Sequence, residues 1–437
     1  MPIAVNPKAC SSSTATLSSN SSTVTATPQK ILKPGSKHVL FCITNDPVTL
    51  PSEAKPPRQT PKALPPPHSL KITSDGAVAV PGPFLFLKTL QVGSYGEAVA
   101  VRELTPAWWQ GTAPGRVLCM KVFHKVPALA RGLVPGIVQE VLAYRNLARA
   151  ESEGDGAAFV MTLEASLQDA NRLFFVMELM DCDLLAVFSS GYRFSRKQNA
   201  RRWICQIALG IAFIHASGVI HRDIKPENLL LSASGTLRIA DFGAAHTERA
   251  ARPLDPAKGY AAEVTGTYAY MAPEMLANRR PPTRKYGLAV DYWSAGCVAF
   301  ELLAPARAPL FDSEAALCRY EARARAGHRA AYLACAGLGA EAAALVAGLL
   351  HLDPLQRYRT ADLRAHAFFQ NADGTSAFDA VSRAPDTEPH DAAAELEPGL
   401  VRGHRHVMAL SLDPPEDENT FKYFGWVNPR GIWGGGA

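Results

Sequence analysis

Apolar residues change rhythm from segment to segment along this chain, and the rhythm assigns the elements. Residues 117–123 are apolar apart from a single lysine, Lys121, and read as a buried strand. Over 136–148 the spacing turns helical: Ile137, Val141, Tyr144 and Leu147 share one face, and Glu140 lies on that face with them. Trp203, Ile207, Ile211 and Ile214 mark a second amphipathic helix that stops near Gly218. Leu229, Leu230 and Leu231, a turn-rich stretch at 232–235 and a returning strand at 236–239 make a hairpin. A lysine within an apolar strand is costly unless paired, and a carboxylate on a core-facing stripe needs a cation. Lys121 and Glu140 are therefore expected to meet.

Between the second helix and the hairpin stands His221-Arg222-Asp223-Ile224-Lys225-Pro226-Glu227-Asn228. So charged a loop between two apolar segments has no packing reason to exist. Its residue types suit phosphoryl transfer: Asp223 as base for a hydroxyl, Lys225 as cation for a phosphate, Asn228 as amide ligand for Mg²⁺. The hairpin returns the chain beside itself, so Asn228 at its entrance and Asp241 just past its exit should lie together. An amide oxygen and a carboxylate are hard oxygen ligands, suited to Mg²⁺ carried in on a nucleotide phosphate.

Residues 84–369, with these motifs in this order, resemble a eukaryotic protein kinase catalytic domain, and Lys225 resembles the serine/threonine class. The resemblance implies an α+β fold of two lobes, a small β-rich one with one key helix and a larger, mostly α-helical one. It implies ATP and Mg²⁺ as cofactors and transfer of the γ-phosphoryl group to Ser/Thr hydroxyls of protein substrates. Lys121, oriented by Glu140, would hold the nucleotide phosphates beneath a glycine loop of Val92, Gly93, Ser94, Tyr95 and Gly96. Met177 would be the gatekeeper, with Glu178 to Met180 as the hinge and Val99, Cys119, Asp183 and Leu230 around the nucleotide. The loop departs from the family pattern: Gln91 stands for the first glycine, and Ala98 for the valine that usually covers adenine, so Val99 or a shifted register is expected to supply that surface. Trp108, Trp109 and Gly111 are assigned to the connection into the next strand. Tyr144, Leu163, His221 and Phe242 would stack as the spine of active kinases. Asp291, in an apolar helix, should be satisfied by backbone N–H groups of the catalytic loop, and Glu274 should pair with Arg357.

The activation segment, 241–274, is longer than usual and is expected to include a mobile insertion over 248–261. Arg222 marks a kinase in which an anion orders this segment; Glu263 stands where the closest branch has a phosphothreonine, with Thr265 as a further switch. Thr267 should contact Asp223 and Lys225. Phe421-Lys422-Tyr423-Phe424-Gly425-Trp426 resembles the hydrophobic motif of the AGC kinases, relatives of the cyclic-AMP-dependent kinase, with Gly425 at the phosphorylatable position. Phe421 and Phe424 are expected to dock on the small lobe beside the Glu140 helix. Asp183, Glu227 and Glu301 match acids with which arginine-seeking members select basic residues before the acceptor. The competing reading is a kinase-fold scaffold of weak or no activity, supported by Gln91, Ala98 and Gly425 alone.

Composition narrows the picture only slightly. The 437 residues suffice for a kinase domain, at 83–370, between an N-terminal segment, 1–82, and a C-terminal tail, 371–437. The first segment is rich in Ser, Thr and Pro and is expected to be disordered. A formal charge of +5, from 45 basic and 40 acidic residues, is too mild to argue for nucleic-acid binding. The eight cysteines form no CxxC, so they read as reduced thiols of a cytoplasmic or nuclear protein. No run is apolar enough to span a bilayer: the best, 288–304, contains Asp291 and Glu301. A monomer is expected.

Overall fold

Strands β1 (Phe84–Val92), β2 (Gly96–Glu103), β3 (Val117–His124), β4 (Leu163–Gln168) and β5 (Arg172–Glu178) build the small lobe as an antiparallel sheet. The computed structural model describes residues 84–92, 96–103, 115–150, 156–169, 171–188, 194–306, 308–382, 407–408 and 424–428. All of them fall within the second of the chain's two units, His38–Ala437, and the first, Met1–Lys37, lies outside the described residues. So do the rest of segment 1–82, the connection with Trp108, Trp109 and Gly111, the glycine-loop residues Gly93, Ser94 and Tyr95, and Phe421.

Strand alternation explains how the sheet divides its side chains. Leu118, Met120 and Val122 of β3 join Val99, Val101, Phe174 and Val176 in an apolar cluster on one face. Phe123, Phe175 and Met177 belong instead to the main core, packed with Ile137, Val141 and Tyr144 of α1 (Val134–Arg149). Proline in the first turn starts α1, where its missing N–H is no loss. The stripe read from the sequence faces inward, with Glu140 buried among it.

Large-lobe helices α2 (Arg196–Ala216) and α3 (Ala289–Leu303) form the second layer. Trp203, Ile207, Ile211 and Ile214 are all buried, and α3 is interior along nearly its whole length. The hairpin of β8 (Leu229–Leu231) and β9 (Leu237–Ile239) packs between α2 and the cleft, with β6 (Cys182–Asp183) adding a third strand beside β8. A short β7 (Val219–Ile220) pairs with β10 (His246–Thr247). No helix among the described residues is long and apolar enough to cross a membrane.

Two expectations change. The chain does not leave the large lobe at residue 370: the helix Ala377–Ser382 packs back onto it, burying Phe378 against Phe369 at 5.1 Å between ring centroids. Nor do residues 248–261 form a detached insertion. Leu254 is buried with its N–H bonded to His215 O (3.1 Å), Glu248 N–H bonds Gly218 O (2.8 Å), and Asn146 of α1 donates to Glu248 O (2.8 Å). Leu254, Tyr260 and Ala261 on the core and these hydrogen bonds bind the segment to both lobes.

Tail residues complete the small-lobe sheet at both edges. Its order is β11-β1-β2-β3-β5-β4-β12, where β11 (Val407–Met408) pairs with β1 and β12 (Trp426–Val427) with β4. Paired edge strands leave no open ladder at those positions.

Candidate active site

Three charged side chains from three elements meet at the mouth of the hairpin. Lys121 on β3 donates to both carboxylate oxygens of Glu140 on α1, at 3.0 and 3.1 Å, and lies 3.5 Å from Asp241 Oδ1. Burial pushes the Glu140 carboxyl up to about 7 against the pull of Lys121, and nearby Asp241 adds to the rise. Burial alone would raise Asp241 too, but Lys121, Lys225 and His221 outweigh it and hold that carboxyl below the usual range. Phe242, next in sequence, packs edge-on to Tyr144 (5.0 Å) and against His221 (4.9 Å), with Leu163 also buried, so the four expected spine residues are interior.

The catalytic loop takes its shape from Asp291 of α3. That fully buried carboxylate accepts from His221 N (2.9 Å), Arg222 N (2.8 Å) and His215 Nε2 (2.8 Å). Burial works against its charge, yet these donors hold its carboxyl below the usual range. Turning two successive N–H groups onto one carboxylate sets Arg222 in the left-handed region, φ 66°. Asp223 then sits with Oδ2 at 2.8 Å from Lys225 Nζ and 3.2 Å from Asn228 Nδ2, while Oδ1 accepts from Thr267 N at 2.8 Å. Lys225 Nζ also donates to Thr267 Oγ1 (2.8 Å). Gly266 is required for that approach: its φ is +101°, and a Cβ there would fall 2.4 Å from Arg222 O.

Asn228 shows which part of the site is open to a cation. Its Nδ2 is used on Asp223, but Oδ1 is buried with no hydrogen-bond partner. With the ionised Asp241 past the hairpin exit, the donor set fits Mg²⁺. Among the described residues no group of three or more His, Cys, Asp or Glu could hold a metal. An ion at Asn228 and Asp241 would need further oxygens, such as nucleotide phosphates supply.

On the base-binding side, Cys119 pairs across the sheet with Met177 and Leu118 with Glu178. Burial pushes the Cys119 thiol up to about 11, with Lys121 opposing, so it stays a neutral packing group. Glu178 is ion-paired with Arg238 of β9, which ties the hinge strand to the hairpin. Met180 and Leu230 are half-buried against the core, and Asp183 Oδ1 caps the following helix at Ala186 N (2.7 Å). Val99 corrects an expectation. It pairs with Met120 and belongs to the apolar cluster on the face away from Lys121, whereas Ala98 pairs with Lys121 and shares its face. In this register the two-residue period turns Val99 away from the base, so Ala98 lines the site. Val92 is 72% exposed at the strand end, and Gly96 runs so close to β3 that a Cβ would lie 1.8 Å from Val122 O.

The activation segment is anchored through Arg222. Its guanidinium bonds Ala244 O (2.7 Å), Ala245 O (3.3 Å), Tyr286 OH (3.1 Å) and Glu263 Oε2 (3.0 Å), and Tyr286 OH donates to Glu263 O (2.5 Å). Partial burial works to raise the Glu263 carboxyl, but backbone hydrogen bonds and the Arg222 guanidinium together outweigh it and hold it below the usual range. Thr265 is half-buried beside this anchor. Tyr286 gave no signal in the sequence: a lone aromatic between Lys285 and Gly287 matches no motif. Glu263→Ala is expected to lower turnover severalfold without abolishing it, since the Glu263 side chain is 72% exposed and one screened pair contributes little. Steady-state kinetics check this, and unchanged turnover would assign the anchoring to Tyr286 and the two carbonyls.

Further from the cleft, Arg357 bonds both oxygens of Glu274 (2.6 and 3.0 Å) and Ala289 O (2.9 Å). At the small lobe's edge, Phe424 stacks on Phe175 (5.5 Å, 11° between planes), and Arg145 of α1 donates to Gly425 O (3.4 Å).

The family named protein kinase domain matches residues 115–369, more than half of the sequence. The chain belongs to the protein kinase family. It is similar to the serine/threonine-protein kinase PKH3 of Eremothecium gossypii, with 29% identity over 67% of this chain and 37% of that protein. Similarity extends to the RAC-beta serine/threonine-protein kinase of Rattus norvegicus, 30% over 63% of this chain and 50% of the relative. CBL-interacting protein kinase 4 of Oryza sativa subsp. japonica is 33% identical over 59% of this chain and 52% of its own length. The alignments thus span between about a third and a half of these relatives.

Proposed function

We propose that this protein is a serine/threonine protein kinase that transfers the γ-phosphoryl group of Mg·ATP to hydroxyls of protein substrates. One observation carries the reading: Lys121, Glu140 and Asp241 are joined at 3.0 to 3.5 Å, with the Asp223–Lys225–Thr267 cluster beside them. Asp223 accepts the substrate hydroxyl's proton as its oxygen bonds to the γ-phosphorus and the bond to the departing diphosphate breaks. Lys225, fixed by Asp223 and Thr267, faces the transferring group with its positive charge. Lys121 holds the nucleotide's phosphates, and Glu140 fixes the lysine. Asn228 Oδ1 and Asp241 would hold magnesium, which would supply charge neutralisation on the phosphates. Positioning and electrostatics account for catalysis of this kind. Transfer from labelled Mg·ATP to an arranged Ser/Thr peptide library tests the proposal; nucleotide-dependent thermal stabilisation with no transfer would support the scaffold reading instead.

Selection of basic residues before the acceptor rests on Glu227 and Glu301. Glu227 Oε2 and Glu301 Oε1 are buried without hydrogen-bond partners, acceptors waiting for a donor. Burial pushes the Glu301 carboxyl up to about 7, with the Tyr270 hydroxyl opposing and Glu227 adding to the rise. Burial likewise raises Glu227 and Asp183. An arginine from a substrate would favour the ionised forms. With its carboxyl raised to about 7, Glu301 gains charge across neutral pH, so the KM of an arginine-containing peptide should fall as pH rises from about 6 to 8. A peptide lacking the arginine should show no such trend, and Glu301→Gln should remove it. Parallel pH profiles for the two peptides would refute the assignment.

A further inference from the structure

A second charged feature borders the catalytic surface, opposite in sign to the buried acids. Residues 277–285 form a loop between the short helix Pro273–Leu276 and α3, and Arg279, Arg280, Arg284 and Lys285 on it are all exposed. Lys258, also exposed, adjoins them: Gly259 packs on Lys285, and a Cβ there would lie 2.7 Å from Lys285 Cβ. Among the described residues none of these five cations forms an ion pair. The acids nearby are engaged elsewhere: Glu263 by Arg222, Glu248 by His246 and Arg252, Glu321 by Arg325. Glu314, close enough to the Tyr268 ring to act on it, and Asp255, in the turn that carries Lys258, are the exceptions, and Lys258 also acts on Glu248 at longer range.

The loop is fixed in place rather than loosely attached. Buried Asn278 donates to Arg284 O (2.7 Å) and accepts from Arg284 N (2.8 Å), which closes the loop on itself. The same amide donates to Ala262 O (2.9 Å), one residue before Glu263, which pins the loop to the activation segment. Arg279 lies over the ring of Tyr268 at 5.0 Å, and Tyr268 directly follows Thr267, the residue bonded to both Asp223 and Lys225. The single turn Tyr268–Tyr270 separates two environments. Tyr270 is buried and bonded to Glu301, whereas Tyr268 is half-exposed beneath Arg279. A peptide with its hydroxyl at Asp223 therefore has acids on one side of this turn and unpaired cations on the other.

We propose that Lys258, Arg279, Arg280, Arg284 and Lys285 form a substrate-binding rim for carboxylates, placed beyond the acceptor on the side away from its basic residues. The inference rests on the kinase reading and refines its substrate class: peptides with opposite charges on the two sides of the hydroxyl. Four like charges on a fixed loop, with Lys258 beside them, create a field that several acidic side chains can share, which raises both encounter rate and selectivity. The interaction is exposed, so salt must weaken it.

The test compares three peptides sharing one acceptor and one preceding arginine, followed by three glutamates, three alanines or three lysines. At low ionic strength kcat/KM should rank glutamate over alanine over lysine, with a spread of about tenfold between the extremes. The spread should shrink in about 0.5 M salt, where screening is nearly complete at these distances. In Arg280→Ala/Lys285→Ala and Arg279→Ala/Arg284→Ala proteins the ratio of glutamate to alanine peptide should approach one; because it is a ratio, partial loss of folded enzyme does not disturb it. Transfer to none of the peptides would refute the kinase reading itself. Equal transfer to all three, with activity intact, would overturn the rim alone. So would rim variants that speed transfer to the alanine peptide, because the rim would then be holding acids of the chain itself.

Discussion

The Asp223→Asn protein is expected to bind nucleotide normally and to transfer phosphate at least about a thousandfold more slowly, the range set by loss of a positioned base and its electrostatic partner. Asparagine keeps the shape, so the bond from Thr267 N to the side-chain oxygen can persist. It cannot accept the hydroxyl proton, and it offers Lys225 a neutral group in place of a carboxylate 2.8 Å away. Nucleotide-induced thermal stabilisation should survive, because Lys121, Glu140 and Asp241 are untouched. Lys121→Met gives the converse: it removes the cation shared by Glu140 and Asp241 and should lose both stabilisation and transfer. An Asp223→Asn protein retaining a tenth of wild-type turnover would remove Asp223 from the mechanism.

What the sequence could reveal about this site follows from how its residues are placed. Lys121 and Glu140 were readable because each violates its local pattern, a charge in an apolar strand and a charge on an apolar helix face, and only pairing resolves both. Asn228 and Asp241 were readable because a hairpin has only one way to return. Asp291 was readable as a buried acid in need of donors, but His215 as a third donor was not, since helix periodicity does not say which residue of a neighbouring helix reaches it. Whether Val99 or its neighbour faces the site is not legible in the sequence, because a one-residue choice of register decides the face. The 248–261 segment reads as mobile from its length, whereas its backbone bonds and the apolar Leu254, Tyr260 and Ala261 hold it against the core. Pairing of Val407–Met408 with β1 had no sequence signal: two residues are too few to show a period.

Phe424→Ala should destabilise the small lobe by about 3–5 kcal/mol, the usual result of emptying a buried aromatic site, and lower the melting temperature by about 10 °C. Phe424 is only 4% exposed and stacks on Phe175, whose edge meets Phe123 at 5.2 Å. Its carbonyl accepts from Ser166 Oγ (2.5 Å), and the following residues pair with β4, with Asn428 N bonding Glu164 O (2.9 Å). Phe175 is the cross-strand partner of Lys121, and its ring centroid lies 6.0 Å from Nζ. Phe175 thus links the tail residue to the nucleotide-binding lysine. A void at Phe424 lets Phe175 move, and the Lys121–Glu140 pair loses its packing support. The KM for ATP should therefore rise along with the fall in stability, whereas a purely structural site would lower melting temperature alone. Phe424→Leu, which refills most of the volume, should recover both. Should Phe424→Ala melt and bind ATP like the wild type, the tail would be an ornament on β4 rather than part of the lobe.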